Sequence, residues 1–122
     1  MTTPFKLLCD RCGLSQREAA DFLGARLDTV KSWASGRNRA PAGVIAELRK
    51  LHATIERAAG ELVAEVKKRR PDELALFLAR TDDEARDRGW PCIGAMAAAI
   101  GIAAARTDLP VVMMDDPPPK AH

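Results

Sequence analysis

Residues 14–36, Leu-Ser-Gln-Arg-Glu-Ala-Ala-Asp-Phe-Leu-Gly-Ala-Arg-Leu-Asp-Thr-Val-Lys-Ser-Trp-Ala-Ser-Gly, constrain this chain more than any other stretch. Ser15 followed three residues later by Glu18 is a capping box, which predicts a helix from about Gln16. Leu14, just outside the cap, can staple onto Ala19. Ala19, Ala20 and Leu23 form the inward side, with Phe22 on its margin. The two alanines leave room for a second helix to cross closely. Gly24 ends the first helix, because glycine enters the left-handed conformation at little cost. A second helix is predicted from about Leu27 to Ser35, burying Leu27, Val30 and Trp33 at three-residue spacing. Gly36 stops it, and Arg37, Asn38 and Arg39 form a basic loop closed by Pro41.

The other side of this second helix carries Asp28, Thr29, Lys31 and Ser32, with Arg26 at its start. Such a helix suits insertion into a DNA major groove, where side chains meet base edges. Arg26 could pair bidentately with guanine, Thr29 could touch a thymine methyl, and Asp28 could accept from cytosine. Lys31 and Ser32 complete the expected base-reading set, with phosphates also in their reach. Gln16 and Arg17 stand at a helix N-terminus, which favours an anion, and are expected at the phosphate backbone. Arg37, Asn38 and Arg39 are expected there too.

The order Leu-Ser-Gln, Ala, Leu-Gly, then Thr-Val, Trp and Gly over Leu14–Gly36 resembles the Cro/repressor-type helix-turn-helix, without a gap. The resemblance covers about a fifth of the chain and implies a transcription regulator that binds operator DNA as a dimer. Two positions depart from the family pattern. Arg26 stands where Ser or Thr usually precedes the recognition helix, and Ala34 stands where an acidic residue commonly follows the tryptophan. A narrower likeness lies in Trp33-x-Ser-Gly-Arg-x-x-x-Pro41, followed by a long helix and a small mixed domain. It is similar to the anti-CRISPR-associated repressors. Membership would imply an autorepressor of a phage or mobile-element operon, acting on an inverted-repeat operator in its own promoter. Whether RNA is bound as well is left open by the sequence.

Charge distribution agrees with a divided chain. Residues 1–50 hold nine Lys/Arg against five Asp/Glu, a net +4. Residues 51–70 hold five against three, +2, and residues 71–122 five against nine, −4. A basic front and an acidic rear fit a nucleic-acid-binding module joined to a part with another task. The start lacks a long apolar stretch, so no secretory leader is expected. The run from Cys92 to Ala105 is too short to span a bilayer. A cytoplasmic protein with reduced cysteines and no membrane partner is the expectation.

Cys9 and Cys12 form a Cys-x-x-Cys pair, yet zinc needs about four ligands. Cys92, His52 and His122 are scattered and lack ligand spacing. Both cysteines are therefore expected as small residues of a first helix over Phe5 to Arg11, with no metal and no cofactor. No Gly-rich phosphate loop, Ser/His/Asp arrangement or clustered His/Asp/Glu set is present, so no enzyme is expected. Asp82, Asp83 and Glu84 read as a solvated helix start.

Pro41 opens a long helix to about Arg69, stopped by Pro71. Val44, Leu48, Leu51, Ile55, Ala58, Leu62 and Val66 recur at four- and three-residue steps, a seam for packing on another helix. At 1.5 Å per residue the helix reaches about 43 Å, and Gly60 permits a break in it. Its last turns are available to a second copy. His52 lies beside the seam, and Lys67, Lys68, Arg69 and Arg70 suit the helix dipole.

After Pro71, Leu74–Arg80 reads as a buried strand or helix start, and Thr81–Glu84 as a capped acidic turn or short helix. A helix follows from about Ile93 to Arg106, then a strand within Leu109–Met114 and a loose tail. Two strands make a poor sheet alone, and pairing with a second chain would cover their edges.

The expected architecture is mainly α: a helix-turn-helix bundle with a long helix over 1–70, a small strand-helix-strand α/β dimerisation domain over 71–116, and a flexible tail over 117–122. The expected function is a sequence-specific, homodimeric DNA-binding repressor of double-stranded palindromic operator DNA. The alternative is an antitoxin whose acidic half neutralises a protein partner and which autoregulates.

Overall fold

The computed structural model describes residues 2–118. Among them the chain forms helices α1 (Pro4–Arg11), α2 (Gln16–Leu23), α3 (Leu27–Ser35) and α4 (Ala42–Arg69), then strand β1 (Leu74–Leu76), helices α5 (Asp82–Asp87) and α6 (Ile93–Ala105), and strand β2 (Val111–Met113). It is mainly α with one small parallel sheet. No helix among the described residues is long and apolar enough to cross a membrane. Of the tail expected over 117–122, residues 119–122 lie outside the described residues.

The chain divides into two compact units, which meet between Thr54 and Ile55 inside α4. The contact boundary therefore falls within the helix, earlier than the composition change at Pro71 indicated. The later turns of α4, including the fully buried Ile55 and Ala59, belong to the second unit.

In the first unit, Pro4 opens α1, where its missing N–H costs nothing. The Thr3 hydroxyl accepts from the Lys6 amide at 3.2 Å and donates to the Ala34 carbonyl at 3.0 Å. One side chain thus caps the start of α1 and ties it to the end of α3. The capping box of α2 is complete: Ser15 Oγ accepts from Glu18 N at 3.1 Å, and Glu18 Oε1 accepts from Ser15 N at 2.9 Å. Gly24 adopts φ 66° and Gly36 φ 84°, each closing a helix in the left-handed region. A Cβ at Gly36 would meet Thr3 Cγ2 at 3.3 Å, whereas Gly24 has open space. α2 and α3 pack together, and α1 packs on α3. The core takes Phe5, Cys9, Cys12, Leu14, Ala19, Ala20, Val30, Ala34, Leu48 and Leu51. Phe5 meets Trp33 edge-on, with ring centroids 5.5 Å apart. Trp33 and Leu27, expected inside, are only half-buried, and Ala34 takes the inward place.

Helix α4 runs unbroken through Gly60. Its seam follows expectation at Leu48, Leu51 and Ile55, then shifts by one residue: Ala59 is inside, and Ala58 is half-exposed. His52 is half-buried beside Arg11, their nearest nitrogens 3.5 Å apart. Arg70 leaves the helix at φ 50°, since the proline after it disfavours a further helical residue.

In the second unit β1 and β2 pair in parallel, with Leu74 opposite Val111, Ala75 opposite Val112 and Leu76 opposite Met113. Parallel neighbours need a crossover, and α5 and α6 lie within it. The strand in Leu74–Arg80 is confined to Leu74–Leu76. Phe77, Ala79, Ala85 and Met96 form the core beyond it, with Leu78, Trp90 and Ile93 against them. Thr81 Oγ1 caps α5 through the Glu84 amide at 3.1 Å. Cys92, the residue before α6, gives no side-chain cap. Asp82 Oδ1 supplies the acceptor instead, 2.9 Å from the Ile93 amide.

Ser15→Ala removes one cap acceptor and should lower stability by about 1 kcal/mol. Gly24→Ala should cost about 1 kcal/mol for its left-handed backbone alone. Gly36→Ala should cost more, since it adds the contact with Thr3. Urea unfolding of the three variants against the parent measures both size and order.

Candidate nucleic-acid interface

The geometry of α3 follows from which of its residues the first unit buries. Val30 and Ala34 face inward, while Asp28, Lys31 and Ser35 are exposed. These three recur at i, i+3 and i+7, one stripe on a 3.6-residue helix. Arg26 sits at the N-cap with extended backbone, exposed and without a side-chain capping bond. Thr29 lies half-buried at the margin.

Ser32 departs from expectation. It is 3% exposed, and its hydroxyl donates to the Thr29 carbonyl at 2.8 Å. Its own carbonyl accepts from the Asn38 amide at 3.2 Å, where the chain folds back after Gly36. With its hydroxyl held by its own helix and its surface covered, Ser32 is withdrawn from the base-reading set. Ser35, not singled out in the sequence reading, is exposed on the Asp28–Lys31 stripe. The i+7 spacing from Asp28 could have identified it. Its hydroxyl donates to the Ser32 carbonyl at 3.2 Å and accepts from the Arg37 amide at 3.3 Å, so it also holds the following loop.

That loop presents Arg37, Asn38 and Arg39, all exposed. Gln16 and Arg17 are exposed in the first turn of α2. Helix geometry leaves the amides of a first turn without intrahelical acceptors. Here the capping box occupies Glu18 N, and the Gln16 and Arg17 amides belong to the same first turn. Among the described residues no carboxylate pairs with Arg17, Arg26, Lys31, Arg37 or Arg39, whereas Lys6, Arg69, Arg86 and Arg106 are held in ion pairs. Side chains already paired must give up a partner to reach a phosphate; the five cations around α3 need not. Glu18 and Asp28 oppose them in sign, but Glu18 is engaged with the Ser15 amide. The arrangement is one solvated stripe on α3, with cations free of carboxylate partners on it, at its N-cap, in the first turn of α2 and in the loop after Gly36.

The two cysteines are inside the first unit rather than on this surface. Cys9 lies on α1 and Cys12 is its C-cap, the Cys12 thiol donating to the Leu48 carbonyl at 3.5 Å. Burial pushes the Cys9 thiol up to about 12, with the neighbouring Cys12 and Asp10 adding to the rise and Lys6 opposing it. Burial likewise raises Cys12 to about 11, against the pull of Arg11. Both thiols are therefore neutral near neutral pH, and a neutral thiol is a poor metal ligand and nucleophile. The acidic run of the second unit is engaged in structure: Asp82 caps α6, Asp83 pairs with Arg86, and Glu84 accepts from the Arg80 amide.

The raised thiols carry a pH signature. Each favours the neutral form in the folded state, so its stabilisation is complete below pH 9 and is lost as pH rises through 11 to 12. Stability should fall across that window, and Cys9→Ala should flatten the fall. Alkylation of Cys9 and Cys12 at pH 8 should proceed only as fast as the unit opens, measured by mass spectrometry with and without urea. No protein-family model matches this chain, and no curated protein matches it as a relative.

Proposed function

We propose that this protein is a sequence-specific DNA-binding transcriptional repressor that acts as a homodimer. The observation that carries the reading is the solvated stripe of α3, flanked by Arg17, Arg26, Lys31, Arg37 and Arg39 without carboxylate partners. On this reading α2 and α3 are a helix-turn-helix with α3 as recognition helix. Arg26, Asp28 and Lys31 meet base edges, Thr29 adds a methyl contact from the margin, and Ser35 joins the same stripe. Gln16, Arg17, Arg37, Asn38 and Arg39 hold phosphates on either side and fix the register of the helix in the groove.

A monomer reads too few base pairs for useful specificity, and twofold symmetry doubles them. Two copies would place their α3 helices in successive major grooves, about 34 Å apart, so the operator is an inverted repeat. Repression follows from occlusion of polymerase. The resemblance to anti-CRISPR-associated repressors makes the promoter of its own phage or mobile-element operon the first site to test.

The test is fluorescence anisotropy on duplexes from that promoter, at several salt concentrations. Lys31→Ala/Arg39→Ala should weaken operator binding at least about tenfold, the lost Arg39 phosphate contact lowering the salt slope by about 1. Ser32→Ala should leave affinity within about twofold, because its hydroxyl bonds inside α3. Binding by the Lys31→Ala/Arg39→Ala variant equal to the parent would overturn the assignment.

A further inference from the structure

The sheet of the second unit is covered under one strand and bare under the other. Register places Val111 beside Leu74 and Met113 beside Leu76, so these four side chains share one face of the sheet. Leu74 and Leu76 are 5% and 4% exposed on that face, yet Val111 and Met113 are 42% and 56% exposed. The hydrophobic layer beneath β1 therefore stops short of β2. Val112 and Met114 are exposed as well, which leaves every residue of 111–114 a large apolar side chain in water. Leu7, in the first unit, is the one other exposed large hydrophobic among the described residues.

The main chain of β2 is open in the same place. Leu74 N donates to Pro110 O at 2.8 Å, and Met114 N donates to Leu76 O at 2.7 Å. Residues 110, 112 and 114 thus turn their main-chain groups toward β1. Val111 and Met113 turn theirs to the free edge, the usual template for another strand. This edge is held in place rather than left to fray. Arg80 donates to the Asp115 carbonyl where the strand ends, and Arg88 donates to the Pro118 carbonyl at 3.3 Å. Met114 also lines a groove of about 700 Å³ with Leu62, Val66, Phe77, Met96 and Ile100, so the apolar surface continues inward from the edge.

We infer that β2 is the self-association surface of this protein, pairing antiparallel with β2 of a second copy about a twofold axis at Val112. The inference rests on the homodimer proposed above and names its surface. A second copy is the occupant that fits on three grounds. The strand from Pro110 to Met114 carries no charge, so identical strands oppose no like charges along it. With Val112 on the axis, the open groups of Val111 meet those of Met113 of the second copy, and Met113 those of its Val111, which satisfies the free edge of both strands. The product is a four-stranded sheet with its two bare inner strands in the centre, where each copy brings the same missing cover to the other.

Sedimentation of the full chain without DNA tests this surface independently of operator binding. The parent should be a dimer, and Val111→Lys/Met113→Lys should raise the dimer dissociation constant about 100-fold or more with an unchanged circular dichroism spectrum. Val112→Cys decides the register even if the lysine variant fails to fold. At the axis the facing Cα atoms of a non-hydrogen-bonded pair lie about 4.5 Å apart, within disulfide reach. Mild oxidation should give a covalent dimer on a non-reducing gel, and Leu7→Cys should not. A monomeric parent, an undiminished dimer in a folded lysine variant, or no crosslink at Val112→Cys in a dimeric parent would each overturn the inference. If such a dimer still binds its operator, the surface is wrong and the DNA reading stands. If the surface holds and no promoter duplex binds, the DNA reading fails alone.

Discussion

The close packing of α2 on α3 is the constraint on which the first unit depends. The residues buried from these helices are Ala19 and Ala20 on one and Val30, Ser32 and Ala34 on the other. Small side chains permit a short interaxial distance, and a short helix pair has few other ways to exclude water. Once Val30 and Ala34 are turned inward, helical periodicity fixes what turns outward: Asp28, Lys31 and Ser35. The polar stripe is thus a geometric consequence of the buried one. A larger residue at Ala19 or Ala20 would disturb the stripe from the opposite side of the pair.

A second device locks α3 at its far end. Thr3 uses one hydroxyl as acceptor for α1 and as donor to α3, and Gly36 leaves room for its methyl group. The carbonyl of Ser32 and the hydroxyl of Ser35 then hold the amides of Asn38 and Arg37. Arg37, Asn38 and Arg39 are therefore presented by a loop whose backbone is bonded to the helix it flanks. Such preorganisation matters for a charged surface, because ordering mobile cations on binding would oppose the electrostatic gain.

The second unit solves a different problem. It builds a parallel pair of three-residue strands, an arrangement that usually requires cover on both faces. Leu74 and Leu76 of β1 are buried, and the core around Phe77 and Met96 follows directly after the strand. It then leaves β2 apolar on both faces and open along its edge. Unsatisfied strand edges are an aggregation hazard that monomeric proteins usually blunt with charge, proline or a bulge. Here the strand itself is uncharged, bounded by Pro110 before it and Asp115 and Asp116 after it. That bounded, apolar edge is the physical basis of the self-pairing proposed above.

Much of the fold was legible because its signals are local. The Ser15–Glu18 box, Gly24, Gly36, Thr81 and Pro41 each act within about one turn of chain, so the helix limits could be placed from residue type alone. The parallel pairing of the two short strands was less so, since an apolar run as brief as Leu74–Leu76 is compatible with either period. Burial of single residues belonged to the tertiary structure. Ser32 is polar and lies at the edge of the expected outward face, yet it is buried, with its hydroxyl bonded to the Thr29 carbonyl and its own carbonyl to the Asn38 amide. Ala59 rather than Ala58 is inside, and periodicity alone does not separate them, because three- and four-residue steps from Ile55 fall on the same face. Asp82 became the cap of α6, eleven residues before the amide it accepts from and beyond any local reading, because α5 and α6 pack together. Sequence alone determined where helices begin, end and turn, through hydrogen bonds that close over three or four residues. Only tertiary structure decided which of their side chains meet water, because exclusion of water depends on elements distant in the chain.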